Sequence, residues 1–281
     1  MIAVCPNPFR DIDLALSRKA ASLLEEAGYE SVICPVFADR ETDAVPKNVP
    51  VSCLQDVIDA VSLAIVIGGD GTILEVSHYV HGHDIPILGL NLGTMGFMAN
   101  LEPEDLPLIL RAAKGDYRLS GRMLLDVSLQ HGGEELYHGL ALNDAVIHGY
   151  GDTIYLNVDC NSQPMTTFGG DGIILATPTG STGYSMSAGG PIVEPEAENI
   201  IVSPICAHTI ASRSFVLGPE RIVSVTAKKM HDRRAYLSVD GSTVTDVNKD
   251  DVLVVKKSSH KLLMADLGVR SFYETTFEKL T

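Results

Sequence analysis

The chain has 281 residues, 45% hydrophobic and 20% charged, which is enough apolar material for one large or two ordinary cores. Its formal net charge is −15, which argues against nucleic acid or an anionic membrane as principal partner, because both reward basic surfaces. Anionic small ligands stay open, since backbone N–H groups, a few Lys or Arg and Mg²⁺ neutralise a phosphate locally.

Cys5, Cys34, Cys53, Cys160 and Cys206 are odd in number and widely spaced, with no C-x-x-C, as expected of a reduced, cytoplasmic chain. No charged-then-apolar leader opens the sequence, and no apolar run approaches membrane-spanning length. Trp is absent and aromatic residues make up only 6%, which speaks against stacking platforms for nucleic acid.

Ile2–Cys5 predicts a short buried strand. Asp11 then caps a segment with Ile12, Leu16, Leu23 and Leu24 at helical spacing, and Gly28 closes it. Ser31–Pro35 reads as a strand, and residues 36–50 read as a loop. Ala64–Ile67 is a further strand. It runs into Gly68-Gly69-Asp70-Gly71-Thr72, after which Thr72 opens a helix over Ile73–Val80. His78, His81 and His83 lie beside Asp84 and have the look of a metal cluster, but a polar helix end accounts for them more simply. Pro86–Leu90 is the next strand, and Asn91-Leu92-Gly93-Thr94-Met95-Gly96-Phe97 is the turn that follows it. This βαβ rhythm predicts an α/β, Rossmann-like domain with a parallel sheet covered by helices.

The texture changes near residue 117. Met123–Leu129, Leu136–His148, Thr153–Cys160 and Ile173–Thr177 are strand-like, and Ile222–Val225, Ala235–Val239 and Asp251–Lys256 continue the series. Turns lie at 131–133, 149–152 and 161–163. The pattern predicts a β-rich, β-sandwich-like second domain. The boundary falls within Glu102–Ser120, giving domains at 1–110 and 111–264. The tail 265–281, helical in spacing from Phe272 to Leu280, docks back on the first domain.

Three glycine-rich segments carry the chemistry. A strand feeding a glycine turn and a helix N-terminus is a phosphate-binding geometry, because glycines let the backbone approach an anion and the first helical N–H groups point at it. Asp70 is the anomaly in that turn: a carboxylate beside phosphate is costly unless it takes a proton or holds a cation, so it points to phosphate chemistry. The Asn91–Phe97 turn sits at the same carboxyl edge of the sheet, either lining one crevice with it or serving only as a turn. The longest segment runs from Gly169-Gly170-Asp171-Gly172 through a strand into Pro178–Pro191, which supplies hydroxyls and backbone donors for ribose, amide and phosphate groups. Neither G-x-x-x-x-G-K-[ST] nor G-x-G-x-x-G after the first strand is present, which disfavours P-loop enzymes and dehydrogenases. Asn143-Asp144 interrupts an apolar run and needs partners if buried, or else marks a strand end with a solvated turn. Asp240-Gly241 is a turn signal first and a site candidate second. Cys206 and His208 read as ordinary strand residues.

Taken in order, Gly68–Thr72, Asn91–Phe97, Asn143-Asp144 and Asp171–Val193, with Asp240-Gly241 as a weaker match, resemble the NAD kinases across most of the chain. The Gly-Gly-Asp-Gly-Thr turn alone is shared with lipid and sugar kinases, and a non-catalytic NAD(P)-binding protein is a further alternative. The resemblance implies an N-terminal α/β domain, a C-terminal β-rich domain and a site between them. It implies Mg²⁺-dependent phosphorylation of the adenosine 2′-hydroxyl of NAD by ATP or inorganic polyphosphate, in a cytoplasmic homodimer or homotetramer. Asp70 matches the general base, with Gly68, Gly69, Gly71, Thr72 and Asn91 beside it. Asn143, Asp144, Asp171, Thr182, Gly183, Tyr184, Ser185, Met186 and Ser187 match dinucleotide-contacting positions, and Asp240 joins them as a candidate. The chain departs from the family at Asp144, where Glu is common, at Gly169, where a basic residue is frequent, and at Gly183 and Ser242.

Overall fold

The computed structural model describes residues 1–37, 44–93, 96–208, 213–228 and 234–280. Part of the predicted loop 36–50, and Thr94 and Met95 of the Asn91–Phe97 turn, lie outside the described residues. The chain divides into two compact units, Met1–Gly121 with Leu262–Thr281, and Arg122–Lys261.

The first unit begins with β1 (Ile2–Pro6), α1 (Ala15–Glu26), β2 (Ser31–Ile33), α2 (Leu54–Val57), β3 (Leu63–Gly68), α3 (Asp70–Val80), β4 (Ile87–Asn91) and α4 (Ile109–Ala113). The strands pair in parallel in the order β2-β1-β3-β4, with Val4 opposite Ile65, Ile65 opposite Leu88, and Met264 from late in the chain opposite Ile87. Every residue of β1, β3 and β4 is buried, as expected where both faces of a parallel sheet are covered. Leu14 and Leu24 pack with Ile2, Val4, Ile65, Leu88 and Ile109 in one core cluster.

Two helix starts differ from the sequence expectation. Ile12 lies outside α1 and is 65% exposed, because Asp13 and Leu14 turn through left-handed backbone, with φ of 55° and 52°, before the helix begins. Asp11 still caps: its buried carboxylate accepts the Leu16 N–H at 2.8 Å and the Ser17 N–H at 2.9 Å. α3 begins at Asp70, two residues before the expected Thr72. Gly69 ends the extended segment, and the Thr72 hydroxyl folds back to accept the Gly69 N–H at 3.3 Å.

The second unit contains β5 (Arg118–His131, entering from the first unit), β6 (Glu134–Ala141), β7 (Asp144–Gly149), β8 (Ile154–Cys160), β9 (Gln163–Gly170), β10 (Gly172–Ala176), α5 (Tyr184–Ser187) and β11 (Ile200–Ile205). It continues with β12 (Phe215–Leu217), β13 (Val223–Lys228), β14 (Ala235–Val239), β15 (Ser242–Val247) and most of β16 (Val252–Asp266). α6 (Phe272–Leu280), at the helical spacing noted in the tail, belongs to the first unit.

Two antiparallel sheets build the second unit. One contains β16-β13-β8-β9 and the β5-β6 pair, and the other has the order β12-β11-β10-β7-β14-β15. Leu125, Val127, Leu156, Val158, Val225 and Leu253 from the first meet Ile147, Ile173, Leu175, Val202 and Leu237 from the second in one core. The alternate residues of β7, β10 and β11, Val146, Ile174, Ala176 and Ile201, form a second apolar layer against Ala188 and Val193. This is the β-rich, sandwich-like architecture expected. β9, β11, β12 and β15 are additional to the strands read from the sequence, and the expected strand Leu136–His148 is broken between Ala141 and Asp144.

Asp11→Ala leaves two first-turn N–H groups of α1 without their acceptor. The expected loss is roughly 1–3 kcal/mol of unfolding free energy, read from urea denaturation followed by circular dichroism.

Candidate active site

In the first unit the strand-to-helix turn after β3 is packed too tightly for a side chain at its first residue, Gly68. A Cβ at Gly68 would overlap the Thr72 hydroxyl, so only glycine lets α3 start with a single residue between it and the strand's end. Asp70 therefore occupies the first turn of α3. Its Oδ2 accepts the Phe97 N–H at 2.6 Å and its Oδ1 accepts the Met98 N–H at 3.1 Å. A Cβ at Gly96 would come within 3.0 Å of Asp70 Oδ1, so Gly96 lets the loop close on the carboxylate.

Asn91 holds the base of the same loop. Its side chain accepts the Gly93 N–H at 2.8 Å, donates to the Gly93 carbonyl at 2.9 Å, and lies 3.4 Å from the Glu102 carboxylate. The segment after β1 joins the turn too: Asn7 N–H donates to the Ile67 carbonyl at 2.9 Å, and its side-chain amide donates to the Thr72 hydroxyl at 3.4 Å. This brings Arg10 over the glycines, with its Nη1 only 3.4 Å from a Cβ built at Gly69 and 2.5 Å from one at Gly93. A cavity of about 320 Å³ results, lined by Asn7, Phe9, Arg10, Phe37 and Gly69 through Thr72. Arg10 was missed by sequence reasoning. Its only signal is its place directly after β1, at the carboxyl edge of the parallel sheet.

In the second unit Asp240, at φ 49° in the turn between β14 and β15, is an organiser. Its carboxylate accepts the N–H groups of Leu142 at 2.8 Å, Asn143 at 2.7 Å and Asp144 at 3.1 Å, and its own N–H donates to the Asp144 carbonyl at 3.0 Å. These bonds replace the ladder where β6 ends and β7 begins, which is why the apolar run breaks at Asn143-Asp144. The Asn143 carbonyl accepts the Thr177 N–H at 2.9 Å, and a Cβ at Gly180 would overlap that carbonyl. Gly180 thus lets the small-residue segment close onto Asn143.

Within that segment Thr182 donates to the Thr179 carbonyl at 3.2 Å, and the Ser185 hydroxyl lies 3.1 Å from the Ser203 hydroxyl in a fully buried pair. Gly183 caps α5, where Tyr184, Met186 and Ser187 are partly or well exposed, unlike Ser185. Asp144 is only 6% exposed; burial, and then the Asp240 carboxylate, push it up to about 7. Burial raises the Tyr184 hydroxyl, with Tyr236, Cys206, Asp144 and Asp171 all within electrostatic reach of it. Cys206 is not a strand residue: it stands just past β11 at φ 45°, and its thiol, raised by a hydrogen bond to Asp171, joins this polar group.

The ATP-NAD kinase N-terminal domain family matches residues 12–116, and the ATP-NAD kinase C-terminal domain family matches residues 142–267. The NAD kinase of Acetivibrio thermocellus is 31% identical over 286 residues, covering 99% of this chain and 96% of that one. The chain belongs to the NAD kinase family. The NAD kinase of Trichlorobacter lovleyi is 37% identical over 229 residues, 80% of each chain. Among solved structures, yeast NADH kinase complexed with NADH has a TM-score of 0.87 at 23% identity, covering 99% of this chain and 86% of that one. An NAD kinase from Archaeoglobus fulgidus in complex with ATP has a TM-score of 0.75 at 24% identity, covering 100% and 98%. Both share the fold described above. NAD kinases are phosphotransferases, and so is this chain.

Against that family the buried Asp144 carries a measurable signature. Its folded value lies above the ordinary 3.8, so between about pH 4 and pH 7 the folded state keeps a proton that the unfolded chain has lost. Stability contributed by this group therefore falls as pH rises through that window. Asp144→Asn is expected to flatten the pH dependence and gain stability at pH 8 relative to pH 4, by roughly 4 kcal/mol at most. Urea denaturation of both proteins at the two pH values checks it.

Proposed function

We propose that the chain converts NAD to NADP by moving a phosphoryl group from ATP to the 2′-hydroxyl of the adenosine ribose. One observation carries the reading in a member of this family. The Gly68–Thr72 turn holds a carboxylate at a helix N-terminus, fixed by two amides, on the wall of a polar cavity that also holds a guanidinium. Donor phosphates suit the first unit: Gly69 and Gly71 allow close backbone approach, the N-terminus of α3 favours anions, and Arg10 offers a forked cation. The dinucleotide suits the second unit, where Asn143, Asp144, Asp171, Tyr184, Ser187 and neighbouring backbone supply donors and acceptors for amide and ribose groups. Asp240 and Gly180 position these groups, and Thr182, Ser185 and Met186 shape the segment that carries them.

Phosphoryl transfer asks for in-line placement and charge neutralisation more than covalent chemistry. The ribose hydroxyl oxygen forms a bond to the γ-phosphorus as the bond to the ADP oxygen breaks. ADP leaves with that electron pair, and the hydroxyl proton passes to Asp70. The Phe97 and Met98 amides fix the orientation of the receiving carboxylate. No group of three His, Cys, Asp or Glu among the described residues is set to hold a metal ion by itself. Mg²⁺ would be held chiefly by the donor phosphates, with Asp70 the carboxylate beside it among the described lining residues. When bound it supplies charge neutralisation on the donor.

The same reading takes the protein as a cytoplasmic homodimer or homotetramer. The cysteines are all free thiols, which suits a reducing compartment. No helix among the described residues is long and apolar enough to cross a membrane.

NADP formation from NAD, ATP and Mg²⁺ tests the proposal, and absence of turnover by the wild-type protein overturns it. Asp70→Asn is expected to lower kcat by roughly 10²-fold or more, because the shape is kept and the proton acceptor is lost. Arg10→Met is expected to raise the KM for ATP about tenfold or more while leaving the KM for NAD near its original value, as read from steady-state kinetics with each substrate varied.

A further inference from the structure

Phe9 and Phe37 are the two aromatic residues among the described lining of the donor cavity, and the phosphate chemistry uses neither. Phe9 is 42% exposed and lines the cavity together with Phe37. Its position is built rather than incidental. The Asn7 side chain accepts the Phe9 N–H at 3.0 Å, and the Asn7 carbonyl accepts the Arg10 N–H at 3.0 Å and the Asp11 N–H at 2.9 Å. Asn7 therefore presents Phe9 and Arg10 from one tight turn. Phe37 reaches the same cavity from the other neighbour of β1: the Val36 N–H donates to the Pro6 carbonyl at 3.0 Å, extending the β1–β2 pairing past the end of the strand. Phe37 itself has φ +61°, a left-handed conformation that a bulky L side chain rarely adopts. Two separate segments thus each bring a phenylalanine to the wall of one cavity.

The chemistry of the lining points the same way. Among the described residues it holds one cation, Arg10, and one carboxylate, Asp70, in a chain of formal net charge −15. A bare polyphosphate meets Arg10 and the glycine amides as a nucleotide's phosphates do, but it has no apolar surface to pack on the rings. A nucleoside triphosphate matches both halves of the wall, with phosphates on Arg10 and the glycine amides, and a flat base against aromatic rings.

We propose that Phe9 and Phe37 are specificity residues that bind the base of the phosphoryl donor and so select a nucleoside triphosphate over inorganic polyphosphate. This rests on the donor assignment made above. The test measures dissociation constants of ATP and of inorganic tripolyphosphate, each with Mg²⁺, for the full chain and for Phe9→Ala, Phe9→Leu and Phe37→Ala. Thermal melts confirm that each variant is folded. Wild type is expected to bind ATP at least tenfold more tightly than tripolyphosphate. Each alanine variant is expected to lose about tenfold for ATP and less than twofold for tripolyphosphate, with Phe9→Leu intermediate. Equal losses for the two ligands, unchanged ATP binding, or a wild type that prefers tripolyphosphate would overturn the proposal. Binding and turnover report separately. A protein showing this ligand pattern but forming no NADP refutes the kinase assignment and leaves base selection standing, whereas active enzyme without the pattern does the reverse.

Discussion

Everything at the first unit's edge follows from how little room there is between β3 and α3. Thr72 folds under the strand's last residue, and any side chain at Gly68 would occupy the space of its hydroxyl. That close packing starts the helix at Asp70 rather than further on, and so puts a carboxylate where helix N-termini ordinarily receive anions. Such a carboxylate would swing freely in an open turn. Here two amides of the 97–98 segment take one oxygen each, and Gly96 gives them room. The aspartate is consequently a fixed acceptor beside a cavity, which is the condition for a proton-accepting group to work at a defined distance.

The second unit applies the same logic with a different acid. Asp240 gathers three consecutive amides across the gap between β6 and β7, and in doing so replaces ladder bonds that a continuous strand would have made. The gap lets the Asn143 carbonyl meet the segment after β10, where Gly180 lies flush against it. Its consequence is a second carboxylate, Asp144, buried close to Asp240, which holds on to its proton well above the ordinary range. Asp144 is itself almost fully buried in the wall of its own unit.

Much of this was legible in the residues. Ile2–Cys5, Ala64–Ile67 and Pro86–Leu90 announce buried parallel strands because both their faces are apolar, and the glycine turns mark themselves by composition. The α/β unit followed by a β-rich unit follows from that alternation and its loss. The shortfalls have a common physical source. β9 and β15 are half-exposed strands whose polar side chains resemble loops, and Pro204 hides the end of β11. Arg10 looks like any surface arginine until the Asn7 turn folds it over Gly69 and Gly93. Asp240 looks like a turn former because its partners are 96 to 98 residues away, beyond any local pattern. Cys206 meets Asp171 only through folding.

The central claim is that the Asp70 carboxylate takes the proton from the sugar oxygen being phosphorylated. A crystal structure of the protein with NAD bound addresses it most directly. The account predicts an Asp70 oxygen within about 3.2 Å of the adenosine 2′-oxygen, or joined to it through one water. A bound NAD whose 2′-oxygen bonds to other groups, with Asp70 remote from it, would contradict the account.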